Sequence, residues 1–366
     1  MIDETLLKND ERAIYALRTL YKQYGYMPFK MSKFEEYDLY VRNKDFLISD
    51  RIITFNDTNG KLMALKPDVT LSIIKNGEDT PGYKQKVYYN ENVYRVSGST
   101  HQYKEIMQTG LECIGAIDLY DIFEAVSLAA SSLALISDEF ILDVSHLGVL
   151  SALLTESCED EGFCRAAASC IAEKNAHDLA RICAEYGVDA DKTARLCAFI
   201  GIYGDMTTVI ARLETLCVSA AARASLYELR GLCDLLAATP YADRIHLDFS
   251  IVNDMNYYNG IVFKGFLSGI CEGVLAGGQY DKLMRKMGRT SGAVGFALYL
   301  DLLEDLQGTP RAYDVDTLVL YDGATPPTAL AAHVRELTAA GKSVSAQRAV
   351  PQSLRYREIL DLREGK

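Results

Sequence analysis

From Leu147 to Ala238 the chain reads as one helix after another, rich in Ala and Leu and broken at Gly187 and Gly201, while the residues on either side read as strands. The stretch is expected to form a helical region of its own between the strand-bearing parts of the chain. Upstream, Ile14, Leu17, Leu20 and Tyr21 recur at helical spacing, which predicts an amphipathic helix over residues 9–24 that stops at Gly25. A β-rich region then runs to about Gly115. Within it Asp57-Thr58-Asn59-Gly60 predicts a hairpin turn, because Asn-Gly accepts positive φ at little cost. Residues 116–135 read as a helix and Phe140–Val144 as a strand. Strands return at Ile245–Val252 and Gly260–Phe266, and a helix is predicted near Phe296–Leu306.

A boundary is expected at Gly308-Thr309-Pro310. Beyond it the pattern predicts a strand at Thr317–Tyr321, a helix from Pro327 to Ala340, a strand at Lys342–Ala346 and one more short helix. This tail is too short to bury a full α/β core, so it is expected to dock on the core or on a partner.

Charge and composition narrow the function. The 366 residues carry 50 acidic and 38 basic side chains, a formal charge of −12, which opposes nucleic-acid binding unless a local basic stripe overcomes it. Lys282, Arg285, Lys286 and Arg289 cluster, but they read as solvation of one helix. No apolar run is long enough to span a bilayer, and the N-terminus lacks a signal-peptide pattern, so a cytoplasmic location is expected. The nine cysteines form no Cys-x-x-Cys pair; they are expected to be reduced, buried thiols, with no metal and no cofactor.

The motifs with chemical content occur in order. Leu65-Lys66-Pro67-Asp68-Val69-Thr70 is followed by Val93-Tyr94-Arg95, then by Gln108-Thr109-Gly110-Leu111-Glu112, Ile251 to Gly260 with its Tyr257-Tyr258 pair, Gly277-Gly278-Gln279-Tyr280-Asp281, and Gly292 to Ala297. On a strand, residues 108, 110 and 112 face one side, so Gln108 and Glu112 can line one cleft with Gly110 leaving space between them. Carboxylates in such a cleft fit a cationic ligand, because each is costly to desolvate unless it is paired.

These blocks resemble the histidyl-tRNA synthetases, class II synthetases that read Leu-Arg-Pro-Glu-Gly-Thr, a Gln followed four residues later by Glu, Leu-Val-Arg-Gly-Leu-Asp-Tyr-Tyr and Gly-Gly-Arg-Tyr-Asp at the corresponding places. The resemblance covers roughly residues 5–306 and implies an α+β fold: a class II antiparallel sheet flanked by helices (1–146 with 239–308), a helical insertion (147–238) and a short C-terminal α/β segment (309–366). It further implies that Asp68, Thr70 and Gln108 bind the α-amino end of histidine, that Glu112 and Tyr257 bind the imidazole, and that Tyr258 walls the site.

The departures fall on nucleotide chemistry. The signature arginine of the Tyr-Tyr block is Asn253, the glutamate expected two residues after Arg95 is Ser97, the loop arginines are replaced in His101-Gln102-Tyr103-Lys104, and the third-signature arginine is Leu302. Arg95 alone stays in register, as a residual nucleotide-site residue. Each lost transition-state charge contact costs on the order of 3 kcal/mol, so several together abolish turnover and no catalytic residue is expected. The pattern resembles the synthetase-like regulatory subunits of ATP phosphoribosyltransferase. That resemblance implies a non-catalytic regulator in histidine biosynthesis that dimerises through its class II core, partners and activates the short-form catalytic subunit, and relays feedback inhibition by histidine. The first class II signature's interface proline is replaced by serine within Phe29–Phe34. The alternatives are a working histidyl-tRNA synthetase, or a histidine-sensing paralogue that regulates another partner.

Overall fold

The computed structural model describes residues 9–43, 52–77, 80, 82–96, 101–252, 257–305 and 312–363. Asn253, Ser97 and the expected boundary at Gly308–Pro310 lie outside them. The chain divides into two compact units, Met1–Leu306 and Gln307–Lys366.

The first unit opens with α1 (Asn9–Gln23), β1 (Met27–Pro28), β2 (Phe34–Glu36), α2 (Tyr37–Arg42), β3 (Thr54–Asn56), β4 (Leu62–Leu65) and α3 (Thr70–Asn76). The long hairpin β5 (Gln85–Val96) and β6 (Tyr103–Gly115), then α4 (Leu119–Ala134) and β7 (Phe140–His146), lead into six helices: α5 (Leu147–Ser157), α6 (Glu161–Ala172), α7 (Ala176–Glu185), α8 (Ala190–Ile200), α9 (Met206–Leu216) and α10 (Ala220–Leu236). A short strand absent from the sequence expectation, β8 (Tyr203–Asp205), interrupts them. The unit closes with β9 (Ile245–Asp248), β10 (Ile261–Leu267), β11 (Leu275–Gln279), α11 (Asp281–Lys286) and β12 (Gly292–Tyr299).

Local chemistry accounts for many of these limits. Gly25, at φ 81°, ends α1. Gly60, also at φ 81°, closes the β3–β4 hairpin, where the Asp57 carboxylate accepts from the amides of Asn59 and Lys61. In the helical stretch, Asp160, Asn175, Asp189, Asp205 and Ser219 each cap a helix N-terminus with a side-chain oxygen.

Among the described residues nine strands form one mixed sheet in the order β1-β5-β6-β12-β11-β10-β7-β9-β8, antiparallel except where β1 meets β5 and β7 meets β9. Alternation along β5 and β6 sends Tyr88, Leu111 and Cys113 to one face and Val87, Tyr89 and Ile114 to the other. The first face joins an apolar core that continues without a break through α1 and α4 into the six helices, from Leu17 to Leu236. The helical stretch therefore shares a core with the sheet inside one compact unit. The other face, packed by α3 and α11, carries the polar groups described below. β2, β4 and β3 form a separate antiparallel sheet.

Two sequence expectations fail. Residues 292–299 are strand where a helix was predicted from Phe296, because Gly295 and its neighbours pair with both β6 and β11; only a 3-10 turn, Asp301–Asp305, follows. In the second unit, β13 (Val315–Leu320), α12 (Pro327–Ala339) and β14 (Val344–Gln347) match the predicted unit, but the last element, expected as a short helix, is β15 (Tyr356–Asp361), a strand parallel to β13. Leu318, Val319 and Leu320 are buried in the middle of this three-stranded parallel sheet, and an open edge of β13 captures the last segment. No helix among the described residues is long and apolar enough to cross a membrane.

Candidate functional site

Glu112 anchors the site. It projects from β6 onto the open face of the sheet and is 2 % exposed. It fits because its cross-strand partner is Gly295: a Cβ there would lie 1.8 Å from Glu112 Oε2. At Gly110 a Cβ would lie 2.1 Å from the Phe296 carbonyl oxygen and 2.6 Å from the Tyr89 hydroxyl, so this position also admits only glycine. Gln108, buried on the same face, sits opposite Tyr299 and Glu91.

A second element enters from below. β4 runs through Lys66 and Pro67 into Asp68, whose Oδ1 accepts the Leu71 amide at 2.8 Å and so fixes the start of α3. Two residues on, the Thr70 hydroxyl donates to Glu112 Oε1 at 2.9 Å. The Tyr280 hydroxyl, arriving from the end of β11, donates to Glu112 Oε2 at 2.5 Å. Tyr257 packs against Tyr258 (ring centroids 4.7 Å apart) and against Tyr280 (5.9 Å), with its phenol in hydrogen-bonding reach of Thr70. Tyr258 lies over Gly278, where a Cβ would come within 2.9 Å of the ring. The structure thus brings Thr70, Glu112, Tyr257 and Tyr258 together, with Asp68 close enough to perturb them electrostatically and Gln108 further along β6.

Burial dominates the electrostatics. It pushes the Glu112 carboxyl up to about 8; the hydrogen bonds from Tyr280 and Thr70 pull it down and the Asp68 charge pushes it up. Asp68 is raised by burial too, against the Leu71 amide and the nearby Arg95 guanidinium. The phenols of Tyr89, Tyr257 and Tyr280 are held well above their usual value, first by burial and then by neighbouring acidic groups, and stay neutral at physiological pH. The result is a pocket of two carboxyls and several hydroxyls. It suits a small ligand carrying hydrogen-bond donors and positive charge.

The neighbouring basic side chains are already engaged. Arg95 uses its Nε to donate to the Pro67 carbonyl at 3.0 Å. Lys66, fully buried, is neutralised by Glu91 at 2.9 Å, and burial pulls its pKa down. Leu302 packs on the apolar core, where a cation would be costly. Arg289, which read as part of a solvated basic cluster, donates instead to the carbonyls of Ile74, Lys75 and Gly77 and closes the C-terminal end of α3.

Sequence reasoning passed over Tyr280, Tyr89 and the Lys66–Glu91 pair. Tyr280 stood in the Gly-Gly-Gln-Tyr-Asp block, but nothing local showed that its hydroxyl would reach a carboxylate 168 residues away. Tyr89 had no signal beyond the strand alternation.

A class II synthetase-type sheet with a buried cluster of acids and tyrosines on one face is the class these features define. Residues 3–303 match the sequence model described as histidyl-tRNA synthetase, and the chain belongs to that family. It is 26 % identical, over 91 % of its length and 83 % of the relative's, to the ATP phosphoribosyltransferase regulatory subunit of Oceanobacillus iheyensis. Among solved structures, one titled an ATP phosphoribosyltransferase regulatory subunit/histidyl-tRNA synthetase from Bacillus halodurans C superposes with a TM-score of 0.79 at 21 % identity, covering 97 % of this chain and 94 % of that one. A chain of the ATP phosphoribosyl transferase (HisG:HisZ) complex from Thermotoga maritima superposes with a TM-score of 0.63 at 20 % identity, covering 80 % of this chain and 97 % of that one. At these identities the solved structures establish the fold.

Proposed function

We propose that this protein is the non-catalytic regulatory subunit of ATP phosphoribosyltransferase, that it binds histidine between Glu112, Thr70, Asp68, Gln108 and the Tyr257–Tyr258 pair, and that it activates a short-form catalytic subunit while relaying feedback inhibition by histidine. One asymmetry carries the reading. The groups suited to an imidazole and an ammonium are gathered around Glu112, whereas the third-signature arginine that would hold a triphosphate is replaced by Leu302 and only Arg95, donating to the Pro67 carbonyl, is kept. The names of the curated relatives support the regulatory role.

A homodimer through the class II core fits the small sheet. By register Phe34, Phe55, Met63 and Leu65 share one face of it; the two phenylalanine rings lie 5.4 Å apart and are 51 % and 38 % exposed. Apolar surface of this kind is ordinarily covered by a partner. A cytoplasmic place of action follows from the pathway.

Calorimetric titration of the protein with histidine, followed by titration of the histidine-loaded and free forms with the catalytic subunit, tests the reading. Saturable histidine binding and a histidine-dependent change in phosphoribosyl transfer are expected. No binding at millimolar histidine overturns the pocket assignment. Formation of histidyl-adenylate from ATP and magnesium would make the protein a ligase.

A further inference from the structure

Resting on the assignment of the Glu112 pocket to histidine, we infer that residues 62–76 act as a lever that reports occupancy of the pocket to the exposed β2-β4-β3 sheet. The stretch is continuous: β4 is the central strand of that sheet, and after Lys66 and Pro67 it supplies Asp68 and Thr70 of the pocket. Its far end is held as well. Arg289 grips the last carbonyls of α3 at 2.7–3.2 Å, and Lys75 Nζ reaches back to Glu35 Oε2 on β2 at 2.7 Å, where Glu35 is 6 % exposed. Residues Thr70–Ile74 are all buried, so α3 has little room to deform and moves as a body.

The pocket provides the reason to move. Glu112 already accepts from within the protein, at one oxygen from Thr70 and at the other from Tyr280. A histidine whose ammonium takes Asp68 and Thr70 and whose imidazole takes a remaining lone pair of Glu112 adds contacts between this stretch and β6. Such a difference in contacts is what a ligand needs in order to shift a conformational equilibrium. Thr70 is the first residue of α3, and displacement there is delivered along two ties: the chain itself into β4, and Lys75–Glu35 into β2. The surface at the receiving end is the apolar face of Phe34, Phe55, Met63 and Leu65, assigned above to the second copy of the chain.

Hydrogen–deuterium exchange on the full chain, with and without L-histidine at a concentration that calorimetry shows to be saturating, tests this. Exchange in peptides covering residues 34–36 and 54–65 is expected to change by about fivefold or more, the lower end of ordinary coupling between sites. The double substitution Glu35→Gln, Lys75→Met cuts the outer tie without leaving a lone buried charge; it should keep histidine affinity within about twofold, as for sites without shared partners, and lose the response in β2. Unchanged exchange in β2–β4 of the saturated wild type overturns the inference, as does a full β2 response in the double variant. If calorimetry detects no histidine binding, the pocket assignment falls first and the lever with it, an outcome distinct from binding without a response.

Discussion

Replacing Glu112 with glutamine separates the cost of burying this carboxyl from its use. In the folded protein burial raises its pKa from 4.5 to about 8, so the group holds its proton more tightly folded than unfolded. The sign follows directly. Below pH 4.5 both states are protonated and there is no penalty; as pH rises from 4.5 to 8 the unfolded chain loses the proton while the folded chain keeps it, and stability falls; above about 8 the loss is complete. A shift of this size corresponds to about 5 kcal/mol at 1.36 kcal/mol per unit, most of which develops between pH 5 and pH 8. Glutamine does not titrate, and its amide can still accept from one of Thr70 and Tyr280. Glu112→Gln should therefore lose less stability than wild type between pH 5 and 8, by about 3–4 kcal/mol in urea unfolding followed by circular dichroism. Raised groups outside this cluster, such as Asp143, bend both curves alike, so the difference isolates Glu112 together with its coupling to Asp68. The same variant should bind histidine at least about tenfold more weakly, because the glutamine amide cannot give up a proton to become the carboxylate that pairs with a bound cation. Parallel stability curves over this pH range would refute the reasoning, since they would mean that Glu112 is ionised and stably solvated in the folded protein.

Three other perturbations follow from the same geometry. Gly295→Ala places a Cβ 1.8 Å from Glu112 Oε2, and isothermal titration should show histidine binding weakened by more than about tenfold, with a lower melting temperature from overpacking. Tyr280→Phe removes the 2.5 Å donor to Glu112 and should destabilise the protein by about 1–3 kcal/mol at pH 8, where the carboxylate needs it most, with a smaller effect at pH 5, as read by denaturant melts. Asp143, lifted to about 7 by burial and by the nearby Asp248 carboxylate, carries the same sign as Glu112: Asp143→Asn should gain on wild type by about 3 kcal/mol between pH 4.5 and pH 8 in thermal melts, and an unchanged difference would show that Asp143 is ionised throughout.

Much of the fold was legible because the signals were local. The apolar spacing of Ile14, Leu17, Leu20 and Tyr21 read as α1, and Asp57 to Gly60 read as the β3–β4 turn. The alternation at 108, 110 and 112 placed Gln108 and Glu112 on one face of β6. Local patterning misled where pairing decides. Gly292–Tyr299 is strand because β6 and β11 flank it on both sides, and β15 is strand because β13 had an edge to offer. Neither partner can be seen within a short window of sequence.

For the site, the chain's own order of residues was enough to name an acid-and-tyrosine set and to show that positions 253 and 302 carry no cation, since residue identity alone says which side chains carry charge. It could not show that Tyr280 and Thr70 would converge on the two oxygens of Glu112, that Arg289 would hold α3, or that the helical stretch would share its core with the sheet. Hydrogen bonds and desolvation act over a few ångströms in space, between groups that lie up to 215 residues apart along the chain, so the pKa of Glu112 and the linkage of its pocket to the small sheet exist only in the folded molecule.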